Sequence, residues 1–199
     1  LAHRLINEAV NLLFTEPAGP VHLNIPLPEP LYEALPEVWK PLPVIPFEKP
    51  DYNPAIPERL IDLWNQAKSI LIVHGQHEPD TDLTDSIIHL SRDPRIAVIA
   101  ENISNIPPDC SISNSHLVLS VNRKNLPAQP DLVLHSGGQV VSKSLTAYLR
   151  NAKHTKLWRI GIDHRLTDTY KIMSEHIALP ASAVYKVLAS KTHEDDEQP

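Results

Sequence analysis

Proline is concentrated in the first 57 residues of this chain and limits the secondary structure that they can form. Of its 20 prolines, 12 fall at or before Pro57, and between Pro26 and Pro57 they recur every two to six residues. Proline has no amide donor and disfavours helix at the residue before it, so this stretch cannot form a regular element. We therefore expect residues 31–56 to form an extended, semi-rigid strap between two domains. Its apolar side chains indicate that the strap lies against protein surface; they are Leu35, Val38, Trp39, Leu42, Val44, Ile45 and Phe47.

Residues 57–190 alternate between two kinds of segment. Some carry apolar residues at helical spacing, and others are short apolar runs typical of strands buried on both faces. The pattern predicts helices at 57–67, 81–91, 139–151 and 181–189, strands at 69–75, 95–100, 130–136, 156–161 and 175–178, and an element of undetermined type at 111–121. Such alternation predicts an α/β domain, in which right-handed crossovers build a parallel sheet with helices on both faces.

Residues 1–30 have the pattern of a helix followed by one strand. Apolar residues recur at helical spacing over 1–14, and residues 21–25 alternate between apolar and polar. One strand cannot form a sheet alone, the chain opens in mid-helix on Leu1, and its only methionine is Met173. We interpret residues 1–30 as the C-terminal remnant of a preceding domain, in a chain cut from a longer protein.

Charge and composition exclude several classes of protein. The net charge is -6 and the 18 basic residues are scattered, which argues against a nucleic-acid surface. The one charge cluster is acidic and lies in residues 191–199, which we expect to be a disordered tail. Cys110 is the single cysteine, so there is no internal disulfide framework, and no apolar run reaches the roughly 18 residues of a membrane span. We expect a soluble, cytoplasmic protein without a membrane span.

The loop after the predicted strand 130–136 is the strongest candidate for a binding site. Ligands approach the carboxyl ends of strands in an open parallel sheet, and Gly137 and Gly138 lie there before a predicted helix. Two glycines let the backbone approach a ligand closely, and the amides of a first helical turn attract anions. Lys143 lies opposite the apolar face of that helix, which comprises Val141, Leu145, Tyr148 and Leu149. The pattern predicts a site for a dicarboxylate or an enolate; an ordinary solvated lysine is the alternative.

Other kinds of site have weaker support. The chain has five glycines and neither G-x-G-x-x-G nor G-x-x-x-x-G-K-[ST], so a classical nucleotide site is not expected. His74 and His77 lack a third metal ligand at suitable spacing, and Cys110 lacks the neighbouring residues of a nucleophile. Ser136 stands in His-Ser-Gly-Gly rather than in G-x-S-x-G. We assign no catalytic, cofactor-binding or metal-binding residue to this chain.

Residues 19–32, Gly-Pro-Val-His-Leu-Asn-Ile-Pro-Leu-Pro-Glu-Pro-Leu-Tyr, resemble a segment of a known enzyme class. The segment is similar to the exit of the first, pyrimidine-binding domain of thiamine-diphosphate enzymes, and most similar to that of the carboligases of menaquinone biosynthesis. The resemblance implies that the central Rossmann-like domain of such an enzyme follows the strap. It covers most of the chain, to about residue 190.

Two motifs at the predicted carboxyl edge also resemble that carboligase family. The family carries Ser/Gly-Lys-Arg-Leu where this chain reads Ser142-Lys143-Ser144-Leu145, and its Lys and Arg bind substrate carboxylates. Lys143 matches, whereas Ser144 replaces the arginine and cannot make its two-pronged contact, so Arg150 or Arg165 would have to compensate. The second motif, Glu101–Asn105, resembles the family's Glu-Asn-Leu-Ser-Asn loop. The substrate-binding candidates are Lys143, Gly137, Gly138, Asn102, Ser104 and Asn105.

The resemblance implies a function for the parent protein rather than for this chain alone. The parent would decarboxylate 2-oxoglutarate on thiamine diphosphate with Mg²⁺ and add the product to isochorismate, as a homodimer or homotetramer. The chain lacks the Gly-Asp-Gly…Asn motif that holds diphosphate and Mg²⁺, and the catalytic glutamate of the family would precede Leu1. We therefore expect it to hold no cofactor and to be inactive alone. It would contribute structure and part of the site for small anionic substrates, with the flanking domains as its partners.

Two alternatives remain open. The domain could be a regulatory module that binds an anionic metabolite, which titration with carboxylated pathway compounds would reveal. It could also be the middle domain of another thiamine-diphosphate enzyme, such as an acetolactate-synthase-like or oxalyl-CoA-decarboxylase-like protein, which binds FAD or another nucleotide. The missing nucleotide fingerprint counts against this second alternative.

Overall fold

The computed structural model describes residues 2–15, 19–26, 41, 43–45, 55–121, 126–162 and 168–192. It divides into two compact units, Leu1–Asp51 and Tyr52–Pro199. The division falls within the proline-rich segment. The acidic tail and most of the strap lie outside the described residues, so the predictions made for them stay predictions.

The described residues of the first unit include a helix, α1, at Ala2–Phe14, which confirms the helix predicted over 1–14. Among its described residues only Ala9 is buried. The large apolar side chains of α1 are at least 39% exposed; they are Leu5, Ile6, Val10, Leu12, Leu13 and Phe14. Few buried contacts therefore stabilise α1 within this chain.

Side chains of α1 bind the backbone of the strap at residues 43–45. The Ile45 amide donates to Asn7 Oδ1 at 2.8 Å, and Asn11 Nδ2 donates to the Ile45 carbonyl at 3.2 Å. The His3 ring also contacts the Pro43 carbonyl oxygen. Residues 43–45 therefore lie against α1 through polar side chains of that helix one turn apart, while the Val44 side chain is 82% exposed.

The strand predicted over 21–25 is not observed in this chain. Residues 19–26 have no regular secondary structure, and Leu23 and Ile25 are exposed. A strand exists only through hydrogen bonds to a neighbouring strand, and the described part of the first unit provides none. Alternation of apolar and polar residues was therefore not sufficient here.

The second unit is a parallel sheet with helices on both faces. Its elements in chain order are α2 (Glu58–Gln66), β1 (Ile70–His74), α3 (Thr81–Leu90), β2 (Ile96–Ala100), a 3₁₀ turn (Asn102–Ser104), α4 (Ser115–Val121), β3 (Leu132–Ser136), α5 (Lys143–Arg150), β4 (Lys156–Ile160), β5 (Met173–Ile177) and α6 (Ala181–Ala189). The strand order is β2-β1-β3-β4-β5, and every pairing is parallel. The predicted α/β, Rossmann-like class is confirmed.

Most predicted elements are observed within one to four residues. The undetermined element at 111–121 is α4, and Asp80 caps α3 by accepting from the Leu83 amide at 2.9 Å. Helix α5 begins four residues later than predicted, at Lys143 instead of residue 139. It starts late because the Ser142 hydroxyl caps it, accepting from the Leu145 amide at 3.2 Å.

Each face of the sheet has its own apolar core. One face packs against α2, α3 and α6 through large side chains that include Trp64, Ile72, Ile87, Trp158 and Tyr185. The opposite face packs mainly against α5 and includes Val73, Val133, Leu145, Tyr148 and Leu149. Full burial of each such side chain contributes about 1.5–3 kcal/mol, so the two cores hold the sheet rigidly and fix the positions of its edge loops.

Candidate functional site

The loops that follow β1, β2 and β3 meet at the carboxyl edge of the sheet, where the sequence predicts the site. In this strand order, the chain turns from β2 back across β1 to β3, so β1 and β3 flank the switch point at which such folds bind ligands. Here the two loops at the switch point bind each other. The Gly75 amide donates to the Ser136 carbonyl at 3.0 Å, and the Gly138 amide donates to the Gln76 carbonyl at 2.7 Å.

Glycine is required at this edge because the two backbones touch. A Cβ atom on Gly75 would lie 2.3 Å from the Gly138 carbonyl oxygen, which is far inside van der Waals contact. Gly137 has a φ of +71°, and a Cβ atom there would lie 2.9 Å from the Gly75 carbonyl oxygen. The glycines were predicted to admit a ligand, whereas the group closest to them is another loop of the same chain.

The loop that follows β2 joins this pair. Asn105, in the left-handed conformation with a φ of 60°, donates its side-chain amide to the His77 carbonyl at 2.7 Å. Ser104 is buried, and its hydroxyl accepts from the Ile106 amide at 3.3 Å. Asn102 is exposed. The structure thus brings the candidate residues to one edge, although Ser104 and Asn105 are engaged in holding the loop. Substrate binding by this loop stays a prediction.

Glu101 links the β2 loop to the start of α5. Its Oε1 atom accepts from the Val141 amide at 2.8 Å and from the Ser142 amide at 2.9 Å. A carboxylate next to the N-terminus of a helix is favourable because the helix dipole is positive there. At these two amides, the anion that the start of α5 attracts is therefore the carboxylate of Glu101. The sequence motif identified Glu101 without indicating this role.

Lys143 is exposed at the first position of α5, as predicted, while Leu145, Tyr148 and Leu149 are buried. Val141 was predicted to face the core and is 65% exposed, because the helix begins only after it. Ser144 does not take over the missing arginine's place in the family motif. Its hydroxyl lies 3.1 Å from that of Ser142, within the cap of the helix.

Arg150 does not compensate for the missing arginine. It lies at the opposite end of α5, seven residues or about 10 Å along the helix axis from Lys143. Its Nε atom donates to the Thr169 carbonyl at 3.0 Å. Arg165, the other candidate, lies outside the described residues. Lys143 is therefore the cation that the described part of the chain places at the start of α5.

A buried polar network lies directly beneath this edge. His74 Nδ1 is 2.7 Å from Ser136 Oγ, which in turn is 2.8 Å from the Tyr185 hydroxyl, and all three side chains are fully buried. Burial lowers the pKa of His74 to about 3, with smaller contributions from His77, His135 and Arg159, so the ring is neutral near pH 7. Burial also raises the pKa of Tyr185. Ser136 is buried, so its hydroxyl is not accessible to a substrate.

Among the described residues, no group of three or more His, Cys, Asp or Glu side chains could hold a metal ion. His77 contacts the neighbouring Glu78 carbonyl, and His74 is buried in the polar network. Within the same part of the chain, no helix is long and apolar enough to cross a membrane.

No protein-family profile matches this chain. Curated proteins named 2-succinyl-5-enolpyruvyl-6-hydroxy-3-cyclohexene-1-carboxylate synthase align with nearly all of it. The protein from Porphyromonas gingivalis is 30% identical over 194 residues, which cover 96% of this chain and 33% of the relative. That from Desulfotalea psychrophila is 30% identical, with coverages of 96% and 36%, and that from Flavobacterium psychrophilum is 29% identical, with coverages of 94% and 34%.

The chain is similar to a segment of this synthase. The similarity confirms the resemblance inferred from the sequence, and it extends beyond the motifs on which that inference rested. The chain spans about a third of the length of the synthases it matches. The α/β unit and its carboxyl-edge loops lie within the aligned length, since the alignments cover 94% or more of the chain.

Proposed function

We propose that this chain is the central domain of a longer enzyme that makes 2-succinyl-5-enolpyruvyl-6-hydroxy-3-cyclohexene-1-carboxylate in menaquinone biosynthesis. The observation that supports the proposal is the alignment of nearly the whole chain with a third of each synthase. The remaining two thirds of the enzyme would be the flanking domains, which are the partners of this one. The parent would be cytoplasmic and would form a homodimer or a homotetramer.

In this proposal the parent decarboxylates 2-oxoglutarate and adds the product to isochorismate. Thiamine diphosphate, bound with Mg²⁺, supplies the carbanion chemistry, and protein groups orient the substrates. The sequence lacks the family's Gly-Asp-Gly…Asn motif for the diphosphate and Mg²⁺, so we place the cofactor in the flanking domains and route no chemical step through this chain. The contribution of the chain is structural and electrostatic.

Lys143 is the residue that we propose contacts substrate. It is exposed at the carboxyl edge, it matches the lysine of the family motif, and the two amides that precede its helix are engaged by Glu101. Both substrates carry carboxylates, which an ammonium group binds through a charge-assisted hydrogen bond. With Ser144 in place of arginine, this edge would bind a carboxylate through one cation.

The hydrogen bonds between the two loops at the switch point argue against the alternative of a nucleotide-binding domain. A nucleotide at that position needs a crevice between the loops after β1 and β3, and in this chain those loops are hydrogen-bonded to each other. The side chain of even the smallest substitution at Gly75 would collide with the facing backbone. This favours a synthase domain without a bound nucleotide over an acetolactate-synthase-like one.

An activity assay on the full-length protein tests the proposed function. With thiamine diphosphate and Mg²⁺, it should consume 2-oxoglutarate and isochorismate together and form the succinylated product. Pyruvate in place of 2-oxoglutarate should give no product. Turnover of pyruvate alone, or activity that requires added FAD, would instead identify an acetolactate-synthase-like enzyme and overturn the proposal. Tight binding of isochorismate or a naphthoate without turnover would favour the regulatory module.

A further inference from the structure

Glu101 occupies an unusual position for a charged residue at the end of a buried strand. It follows β2, and its amide donates to the His74 carbonyl at 3.4 Å, so its backbone lies against the end of β1. From there its half-buried side chain reaches the residues after β3 and binds the amides of Val141 and Ser142 through a single oxygen. One residue thus links the ends of β2 and β1, through its backbone, to the segment between β3 and α5, through its side chain.

These contacts determine where α5 begins. Ser142 is the N-cap residue of α5, and Lys143 is the first residue of the helix. The Ser142 hydroxyl caps the helix by accepting from the Leu145 amide, and the Glu101 carboxylate accepts from the Ser142 amide. The backbone on the N-terminal side of Lys143 is therefore fixed by two independent sets of hydrogen bonds.

The carboxylate holds backbone rather than the lysine itself. Among the ion pairs between described residues, none joins Glu101 to Lys143. The ammonium group is therefore left for another anion, while the helix start that carries it is anchored. A lysine side chain is long and flexible, so the position of its backbone decides which region the ammonium can reach.

We propose that Glu101 is a positioning residue that places Lys143 for its contact with a substrate carboxylate. The proposal rests on the function proposed for Lys143 and adds to it a second residue that acts only through the first. By engaging the amides of Val141 and Ser142, Glu101 also keeps the substrate carboxylate from binding there. The contact with substrate then depends on the ammonium group, whose reach Glu101 sets.

A double-mutant cycle in the full-length enzyme tests the proposal. Glu101→Ala should lower kcat/KM about three- to tenfold, because the net energy of the hydrogen bonds at the start of α5 is lost. The loss should appear mainly as a higher KM. In the Lys143→Ala background the same substitution should cause no further loss, because the residue it positions is gone. Glu101→Gln keeps an acceptor oxygen for both amides and should stay within about threefold of the parent enzyme.

The controls separate positioning from general destabilisation. Glu78→Ala removes an exposed carboxylate from the neighbouring loop and should leave kcat/KM unchanged, and thermal melting of each variant checks the fold. Losses that multiply in the double variant, or Glu101→Gln falling as far as Glu101→Ala, would overturn the positioning role. If Lys143→Ala alone left both substrates unaffected, the function proposed for Lys143 would fail, and the positioning role would fail with it.

Discussion

His74 makes the stability of this domain depend on pH. Its ring is buried, and Nε2 has no hydrogen-bond partner among the described residues, so the protonated form is strongly disfavoured in the folded state. The pKa falls from 6.5 to about 3 on folding. Below pH 6.5 the His74 ring is therefore protonated in the unfolded chain but stays neutral in the folded chain. The free energy of unfolding consequently decreases as the pH falls from 6.5 toward 3.

We predict that the free energy of unfolding decreases over that range by at most about 5 kcal/mol through His74 alone. Urea unfolding at pH values between 8 and 4 measures the effect. His74→Gln should flatten the pH dependence, whereas His116→Gln, a change at an exposed histidine, should preserve it. Equal pH dependence in the parent protein and His74→Gln would show that His74 is not the group responsible.

Lys143→Ala should weaken use of substrate without unfolding the protein. An exposed lysine at a helix start contributes little to stability, whereas its charge-assisted contact to a carboxylate is worth about 1.5–3 kcal/mol. In the full-length enzyme we expect a loss of roughly ten- to a hundredfold in kcat/KM for 2-oxoglutarate or isochorismate.

The matched control is Lys153→Ala, which removes an exposed lysine from the turn between α5 and β4, at the opposite edge of the sheet. It should leave the kinetics unchanged. A normal kcat/KM for both substrates in Lys143→Ala would make Lys143 an ordinary solvated lysine.

At the scale of elements, α1 holds the strap by two side-chain amides. Asn7 and Asn11 engage the amide and the carbonyl of Ile45, so one extended residue is bound at both of its polar backbone groups. This is the arrangement that a neighbouring strand would provide, with asparagine side chains in place of strand backbone. It accounts for the attachment of the strap at a point where Val44 is largely exposed.

Replacing Asn7 with alanine should loosen this attachment. Loss of one hydrogen bond, at about 0.5–1.5 kcal/mol, predicts that the Ile45 amide exchanges its hydrogen about two- to tenfold faster. Hydrogen exchange measured by NMR gives the rate. Glu8→Ala, which removes only the exposed ion pair with Arg4, should leave the Ile45 rate unchanged. Equal rates in Asn7→Ala and the parent chain would mean that the strap is held elsewhere.

At the scale of the whole molecule, the isolated chain should not bind thiamine diphosphate. Its sequence lacks the Gly-Asp-Gly…Asn motif, and its described residues offer no group of three metal-binding side chains. Calorimetric titration with the cofactor and Mg²⁺ should therefore show no micromolar binding. An activity assay on the isolated chain should detect no carboligase activity. The full-length protein is the positive control. Saturable binding to the isolated chain would contradict the assignment of the cofactor to the flanking domains.

Local pattern was sufficient for most of the second unit and insufficient for the first. The apolar runs that became β1 and β3 are buried on both faces, and a run of that kind has few other stable environments. Residues 21–25 alternate just as clearly, yet they form no strand, because a strand depends on a partner that the local sequence does not specify. The start of α5 was misplaced by four residues for a similar reason, since the Ser142 cap and the contact with Glu101 override the local spacing.

The sequence alone determined the α/β class, the edge of the sheet where the candidate loops meet, the exposure of Lys143 and the similarity to the synthases. These follow from periodicity, from the parallel direction of the strands and from motifs that are local in the chain. The contacts that the groups at that edge make are visible only in the folded chain. Glu101 binds amides 40 and 41 residues away, Gly75 faces Gly138, and His74 reaches Tyr185 through Ser136. Contacts between residues so distant in sequence depend on how the strands are ordered, and no local pattern encodes that order.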